Sequence, residues 1–467
     1  MNHDFKKLDQ IDLDFFSEVI GKDHVMADPS DRERYGKDET EDLLFPPEVV
    51  LRPRKTDEIS RIMGYCHEHS IPVTPIGALT GLSGGALSVY GGVGLSLERM
   101  NSIISIDEDN LQATVEPGVI TQVFQEAVEK VGLYYPPDPA SRGSCFIGGN
   151  LAENSGGPHA VKYGVTRDYV LNLEVVLPDG AVIWTGANTL KNATGYDLTH
   201  LMVGSEGTLG VITKAVFKLI PRPRLNVLLL IPFRSAVNAC RAVSATFKAG
   251  IIPSAMEFME RDALDLVNET FQMGVEIPED IEAHLLVELD GADLNVLMDQ
   301  AASLSTLMDS HDCGEILFAE TEAQKDKLWS MRRKVGEAVK AASIYKEEDT
   351  VVPRFQLPEL LQEVKRLGEA HGFRSVCYGH AGDGNLHVNI LKGDMSDEQW
   401  DHGLDTAIRD LFSFVHDLGG TISGEHGIGF VQKDYMDIVF GERQMDLMRA
   451  LKGVFDPKGI MNPGKVL

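Results

Sequence analysis

Closely spaced cysteines are missing from this sequence. Cys66, Cys145, Cys240, Cys313 and Cys377 are its five, and the nearest two, Cys313 and Cys377, stand 64 residues apart. Iron–sulfur and zinc-ribbon sites need thiolates at short fixed spacings, so the chain carries no such cluster of its own. Also absent is any run of the roughly 18 apolar residues needed to span a membrane. The opening Met-Asn-His-Asp-Phe-Lys-Lys-Leu lacks the apolar centre of a signal peptide, and the expectation is a cytoplasmic protein without a transmembrane segment. Positive charge is scarce: 43 Lys and Arg face 71 Asp and Glu, for a net charge of -28. That balance argues against nucleic acid or an anionic membrane surface as partner; solubility, or a docking partner with a basic face, fits better. No Gly-x-Gly-x-x-Gly follows a strand and no Walker loop occurs, which argues against a Rossmann dehydrogenase or a P-loop enzyme. Internal repeats, low-complexity tracts and heptad arrays are lacking too.

What is present is an ordinary globular composition, 43% hydrophobic and 24% charged over 467 residues, enough for two or three domains. Residues 1–40 read as a helical lead-in, with an amphipathic stretch around Leu13 to Ile20. Strand-like Pro46 to Leu51 is followed by a helix that Thr56 is expected to cap, its apolar positions Ile59, Ile62, Met63 and Cys66 falling at helical spacing. A strand over Ile71 to Ile76 then runs into the glycine-rich stretch Gly77 to Ala86, a βαβ-like order. Leu173 to Leu177, Pro178-Asp179-Gly180 and Ala181 to Thr185 predict a β-hairpin. Beyond Pro221-Arg222-Pro223-Arg224, strands are expected at Val227 to Ile231, Ala283 to Leu289 and Leu386 to Ile390. Helices are expected near 235–249, 293–309, 320–342, 357–371 and 397–418, with another at 441–453 before a turn-rich tail. Strands and helices so mixed suggest α+β architecture.

The glycine-rich stretches hold the first chemical signal. Gly77 to Ala86 contains four glycines, a Ser and a Thr but no basic residue. Such a loop can turn a row of backbone N–H groups toward a pyrophosphate, or it can simply turn. Ile147 to Gly157 and Gly204 to Ile212 add further loops of this kind, as if lining a slot for an extended cofactor. Tight loop packing is the other reading.

The second signal is Gly379-His380-Ala381-Gly382-Asp383-Gly384-Asn385-Leu386-His387-Val388-Asn389, echoed by Ser423-Gly424-Glu425-His426-Gly427. Alternation over 386–390 puts His387 and Asn389 on one strand face, and the glycine turn can fold His380 back toward it. Imidazole and carboxylate suit zinc, iron or manganese. The alternative is a pair of hydrogen-bonded core histidines, against which Glu425 and a further histidine beside it weigh.

Taken together, these stretches resemble the flavin-dependent D-2-hydroxyacid dehydrogenases of the vanillyl-alcohol oxidase and p-cresol methylhydroxylase superfamily. The group includes D-lactate dehydrogenases, the catalytic subunit of glycolate oxidase and D-2-hydroxyglutarate dehydrogenase. The likeness runs from about residue 40 to the end and rests on six motifs in the family's order: 77–86, 147–157, 204–212, 379–389, 423–427 and 455–465. It implies an α+β fold made of a two-subdomain FAD-binding domain over 41–220 and a cap domain with the substrate and metal site over 221–430. A C-terminal helix and tail, 431–467, would return to the FAD domain. It implies FAD contacts from Gly77, Ala78, Thr80, Gly81, Ser83, Pro137, Asp138, Gly148, Gly149, Asn154, Gly157, Glu206, Gly207, Ile212 and Asn462. One departure falls in the first loop, where many relatives have Arg-Gly at the place of Ile76-Gly77 and a second glycine at Ala78. The same resemblance makes His380, His387 and Glu425 metal ligands and His426 the general base. Arg332, Lys346 and Asn389 become substrate contacts.

The implied activity is FAD- and metal-dependent oxidation of a small D-2-hydroxyacid, D-lactate first, to the 2-oxoacid. The hydroxyl proton would go to His426 and the hydride to flavin. With no cluster and no nicotinamide fingerprint, the electrons would pass to another protein such as an electron-transfer flavoprotein, or to a quinone. Glycolate and D-2-hydroxyglutarate are the alternative substrates. A non-catalytic FAD-binding subunit and a metal-dependent hydrolase are the rival classes; the intact histidine set weighs against the first and the glycine-rich loops against the second.

Overall fold

The computed structural model describes residues 5–275 and 277–467; residues 1–4 of the expected lead-in lie outside the described residues. The chain divides into two compact units, one of residues 1–156, 165–222 and 425–467, the other of residues 157–164 and 223–424. The division is not sequential as the sequence suggests. A short segment inside the glycine-rich region packs with the second unit, and the lead-in and the tail are part of the first.

The first unit contains two main sheets. In one, Val49–Leu51 and Val73–Ile76 both run parallel to Val93–Ser96, with Val25–Met26 antiparallel at the edge. Parallel strands need a crossover of a dozen residues or so; helix Thr56–His69 carries the chain from Val49–Leu51 to Val73–Ile76, on the far side of Val93–Ser96, and buries Ile59, Ile62, Met63 and Cys66 completely. Thr56 is not its cap, contrary to expectation. Lys55 holds that position without a side-chain bond, because the Thr56 hydroxyl instead donates to the buried Glu174 carboxylate at 2.6 Å. Helix Gln10–Ile20, opened by an Asp9–Asp12 capping box, sets Phe16, Val19 and Ile20 into the same core. The tail reaches it as well: Val73 N–H donates to Ile460 O at 2.8 Å and Asn462 N–H to Val73 O at 2.8 Å. The other sheet is antiparallel, in the order Ile103–Asp107, Gln112–Val115, Val211–Lys218, Val170–Val176, Val182–Trp184. Its last two strands are the expected hairpin, with Glu174 opposite Trp184 and Val176 opposite Val182.

The second unit is built on one seven-stranded antiparallel sheet. Its order is Leu317–Phe318, Leu225–Phe233, Ala283–Gly291, Ala255–Glu260, Arg374–Gly379, Asn385–Leu391, Tyr345–Val351. The helices fall close to their expected places, at Ala236–Lys248, Leu294–Asp309, Leu357–His371 and Leu404–Asp417. The long helix expected over 320–342 is two, Glu322–Arg333 and Val335–Ala342, hinged at Lys334. Strands Ala255–Glu260, Arg374–Gly379 and Tyr345–Val351 were not anticipated. Ala255–Glu260 and Tyr345–Val351 carry charge inside buried elements, and Arg374–Gly379 is buried on both faces past its exposed first residue, so polar–apolar alternation is lost in all three.

Candidate active site

Within the second unit, the histidine stretch is a strand, a one-turn reversal and the neighbouring strand. Gly384, at φ +83, makes the reversal: a Cβ there would sit 1.9 Å from Val352 O, so no other residue fits. Register then sets the chemistry. His387 stands opposite Asp349 on one side and Tyr378 on the other, while Asn389 stands opposite Glu347 and Val376. Directly opposed residues share a sheet face, so one face gathers an imidazole, an amide and two carboxylates. His387 Nδ1 lies 3.3 Å from Glu347 and 3.6 Å from Asp349. His380 Nδ1 lies 2.8 and 2.9 Å from the two oxygens of Glu257, a carboxylate with no exposed surface. Since an ionised carboxylate only accepts, a neutral His380 ring donating to Glu257 would carry its proton on Nδ1, with Nε2 as the lone-pair nitrogen. The two rings are 5.4 Å apart, nearly perpendicular, and offer nitrogens within 4.8 Å of each other.

Arg332 belongs to the same group. Its Nη2 is 2.7 Å from Glu257 Oε2, and its guanidinium lies 4.9 Å from the centre of the Tyr378 ring. The approach to Glu257 is close but off the N–H axis. Buried Nε and Nη2 make no hydrogen bond among the described residues, leaving one edge of the fork that matches a carboxylate. Asn389 donates to Val376 O at 3.3 Å. Lys346 departs from the expectation: strand alternation turns it to the opposite face from Glu347 and Asn389, where its ammonium lies 5.4 Å from the centre of the Trp400 ring. The structure therefore separates Lys346 from the group it was expected to join.

The Ser423–Gly427 stretch is held at both ends. Asp349 accepts from Gly424 N–H at 2.7 Å and from the Ser423 hydroxyl at 3.1 Å, and Asn385 donates to the same carboxylate at 2.7 Å. Past Gly424, within the first unit, Ile428 and Gly429 donate their N–H groups to Glu206 at 2.8 and 2.6 Å. Glu425 and His426 lie between these anchors. In the first unit they line a cavity with Gly77, Ala78, Thr80, Gly81, Asn150 and Glu153.

A second cavity of the first unit shares Gly77, Ala86, Gly149 and Glu153 with that one and adds Gly148, Glu206, Gly207 and Ile212. Pro75, Leu97 and Val211 supply apolar wall. Four non-glycine residues of the surrounding loops sit at positive φ: Leu79 at 60, Asn154 at 58, Glu206 at 51 and Asn462 at 40. Such geometry costs energy and is retained where loops are over-determined by their contacts. Those contacts are visible. Asn154 accepts from Arg167 N–H at 2.9 Å, and Asn462 donates to Gly85 O and Glu206 O at 2.9 and 2.8 Å. Buried Ser83 offers its carbonyl to Phe430 N–H at 2.8 Å. Pro137 and Asp138 are buried, Pro137 O accepting from Gln125 at 2.9 Å, whereas Gly157 lies in the other unit. A Cβ at Gly149 would meet nothing within 4 Å, so the cavity passes directly over bare backbone there. Such a cradle fits a pyrophosphate on N–H groups and a flat ring on apolar wall.

Comparison with known proteins agrees with this geometry. Residues 47–186 match the family model described as FAD binding domain, and residues 222–466, just over half of the chain, match that of FAD linked oxidases, C-terminal domain. The chain belongs to the FAD-linked oxidases. Glycolate oxidase subunit GlcD of Bacillus subtilis is 39% identical over 96% of this chain and 95% of its own length. A D-lactate dehydrogenase of Anaerostipes hadrus is 39% identical over 90% and 89%, and a D-2-hydroxyglutarate dehydrogenase of Stutzerimonas stutzeri 33% over 97% and 98%. The fold is that of p-cresol methylhydroxylase, with a TM-score of 0.78 at 18% identity, covering 99% of this chain and 98% of that one. The protein is thus an enzyme, a FAD-linked oxidoreductase of the D-2-hydroxyacid and glycolate oxidase type.

Several residues of this FAD-linked oxidase escaped the sequence reading. Glu257, Glu347 and Asp349 stand behind the histidines, in strands whose pairing decides their position. Glu153, in the cavity of the first unit, has its carboxyl pushed up to about 8 by burial and then by the neighbouring Glu206, against the opposing pull of His426. Only its place in the Gly148-Gly149-Asn150-Leu151-Ala152-Glu153-Asn154 run could have marked it. Among the described residues of the oxidase, no helix is long and apolar enough to cross a membrane.

Proposed function

We propose that this oxidoreductase oxidises a small D-2-hydroxyacid, D-lactate first, to the 2-oxoacid, with FAD and a divalent metal of the zinc, iron or manganese kind. The observation that carries the reading is the carboxylate-backed pair of buried histidines beside an arginine edge without hydrogen bonds, all in the second unit. His380, His387 and Glu425 would hold the metal, a donor set of imidazole and carboxylate that suits such ions. Carboxylates behind metal-binding imidazoles fix tautomer and ring orientation; Glu257 stands so behind His380 and Glu347 near His387. Bound there, the metal supplies Lewis-acid polarisation of the hydroxyl and FAD supplies the hydride acceptor. Arg332 binds the substrate carboxylate through Nε and Nη2, which orients the hydroxyl-bearing carbon. Asn389 adds a polar contact. An imidazole nitrogen of His426 takes the hydroxyl proton, the task of a positioned general base.

Electrons leave through a protein acceptor, of which an electron-transfer flavoprotein is the foremost candidate, the chain having no cluster of its own and a net charge of -28. The substrate is tested by mixing the FAD-loaded enzyme anaerobically with D-lactate, glycolate, D-2-hydroxyglutarate and, as control, L-lactate, and following flavin absorbance. D-lactate is expected to bleach the flavin fastest and L-lactate not at all. Bleaching by none of these acids overturns the reading; faster bleaching by glycolate or D-2-hydroxyglutarate reassigns the substrate.

A further inference from the structure

We infer that Glu257 is a positioning residue that sets a metal ligand and the substrate-carboxylate anchor in one fixed relation. It lies in strand Ala255–Glu260, in the middle of the seven-stranded sheet, and has no exposed surface. A charge there is expensive unless it is paired on the spot. Two side chains of the second unit lie against it. Oε1 and Oε2 lie 2.9 and 2.8 Å from His380 Nδ1, and Oε2 also lies 2.7 Å from Arg332 Nη2. One carboxylate therefore serves two side chains with different tasks, drawn from elements more than forty residues apart in sequence.

Each contact restricts a different degree of freedom. Toward His380 the carboxylate forces the Nδ1–H tautomer, so that Nε2 carries the lone pair a metal needs. Toward Arg332 it balances the buried charge and holds the guanidinium beside the Tyr378 ring. Its off-axis contact leaves the Nε and Nη2 N–H groups without hydrogen bonds among the described residues. A neutral amide of the same shape cannot do both, because its NH2 end repels the donors that its oxygen would attract. An aspartate keeps the charge but is one methylene shorter, so it can serve only one partner well.

The inference rests on the proposed metal and substrate roles of His380 and Arg332, and its test separates the two. Zn²⁺ is titrated calorimetrically into the chelator-stripped, FAD-loaded enzyme, and KM and kcat for D-lactate are read with a dye acceptor. Glu257→Gln is expected to weaken Zn²⁺ binding about 10- to 100-fold, the range for a lost carboxylate behind a metal-binding histidine. It should also raise KM by about tenfold and lower the melting temperature, since a buried pair is broken, while FAD content stays close to the parent. Glu257→Asp should recover part of one loss and not of both. His380→Ala is the control for the underlying reading. If His380→Ala abolishes Zn²⁺ binding while Glu257→Gln binds Zn²⁺ and D-lactate as the parent does, the coupling role is overturned and the metal site stands. If both variants bind Zn²⁺ as the parent does, both are overturned. If Glu257→Gln does not fold, Glu257→Asp decides: parental Zn²⁺ affinity together with parental KM refutes the coupling, and loss of either supports it.

Discussion

Glu425 and His426 are adjacent in the chain and carry different proposed tasks. If Glu425 is a ligand, Glu425→Gln should lose the metal along with activity, since a neutral amide is a far poorer donor to such a cation. If His426 is the base, His426→Asn should keep FAD and metal yet slow flavin reduction by roughly 10²-fold or more, the usual scale for a lost acid–base group. Metal content by elemental analysis and stopped-flow flavin reduction read the two outcomes apart. Parental reduction by His426→Asn, with metal retained in Glu425→Gln, would reduce the motif to packing. At this scale the imidazoles were legible from sequence, because glycine-flanked histidines at strand spacing are conspicuous. Their carboxylates were not. Glu257 and Asp349 stand more than thirty residues from the histidines they serve, and only strand order brings them near. Lys346 illustrates the converse: one residue of register decides which face of the sheet it occupies, and the sequence does not fix that register.

The segment of residues 157–164 shows how an element can be placed by a few polar contacts. It packs against strand Ala283–Gly291, with His159 3.2 Å from Glu288, Tyr163 donating to Asp290 at 2.6 Å, and Lys162 paired with Asp290. Glu288 also accepts from Ser254 at 2.9 Å, Asn226 at 3.1 Å and Trp329 at 3.1 Å. Burial alone would raise its pKa. The hydrogen bond and charge of His159, with the other donors, outweigh burial and bring it down to about 2. A depressed carboxyl contributes stability that is present above its unfolded pKa, near 4.5, and is lost as pH falls toward about 2. Glu288→Gln should therefore cost about 3 kcal/mol at pH 7, the scale of a broken buried pair, and the gap to the parent should narrow as pH drops from 4.5. Calorimetric melting at stepped pH checks both statements, and a gap independent of pH would show that Glu288 acts by shape alone. Amphipathic helices and the Pro178-Asp179-Gly180 hairpin were readable because their periodicity survives folding. Strands such as Tyr345–Val351, written Tyr-Lys-Glu-Glu-Asp-Thr-Val, were not, since their acids are buried for the site and hide the alternation.

Over the whole molecule, composition marked the protein class, and the ordered glycine and histidine motifs marked the family. What composition could not supply was the discontinuous division of the chain, because the 157–164 segment and the tail are assigned by tertiary contacts and not by local pattern. The scattered cysteines yield a test at the same scale. Cys66, Cys145, Cys240 and Cys377 are buried, and burial pushes each thiol up from its ordinary value. Cys313 is partly accessible; burial also raises it, with the Asp309 carboxylate 3.6 Å away adding to the shift. Since the thiolate is the reacting form, the native enzyme should react slowly with N-ethylmaleimide, at one of its five cysteines and at Cys313 only. Unfolding in guanidinium should expose all five. Peptide mapping after native labelling decides the matter: rapid modification of Cys66 or Cys377 would mean that the cores around helix Thr56–His69 or strand Arg374–Gly379 open far more readily than their complete burial implies.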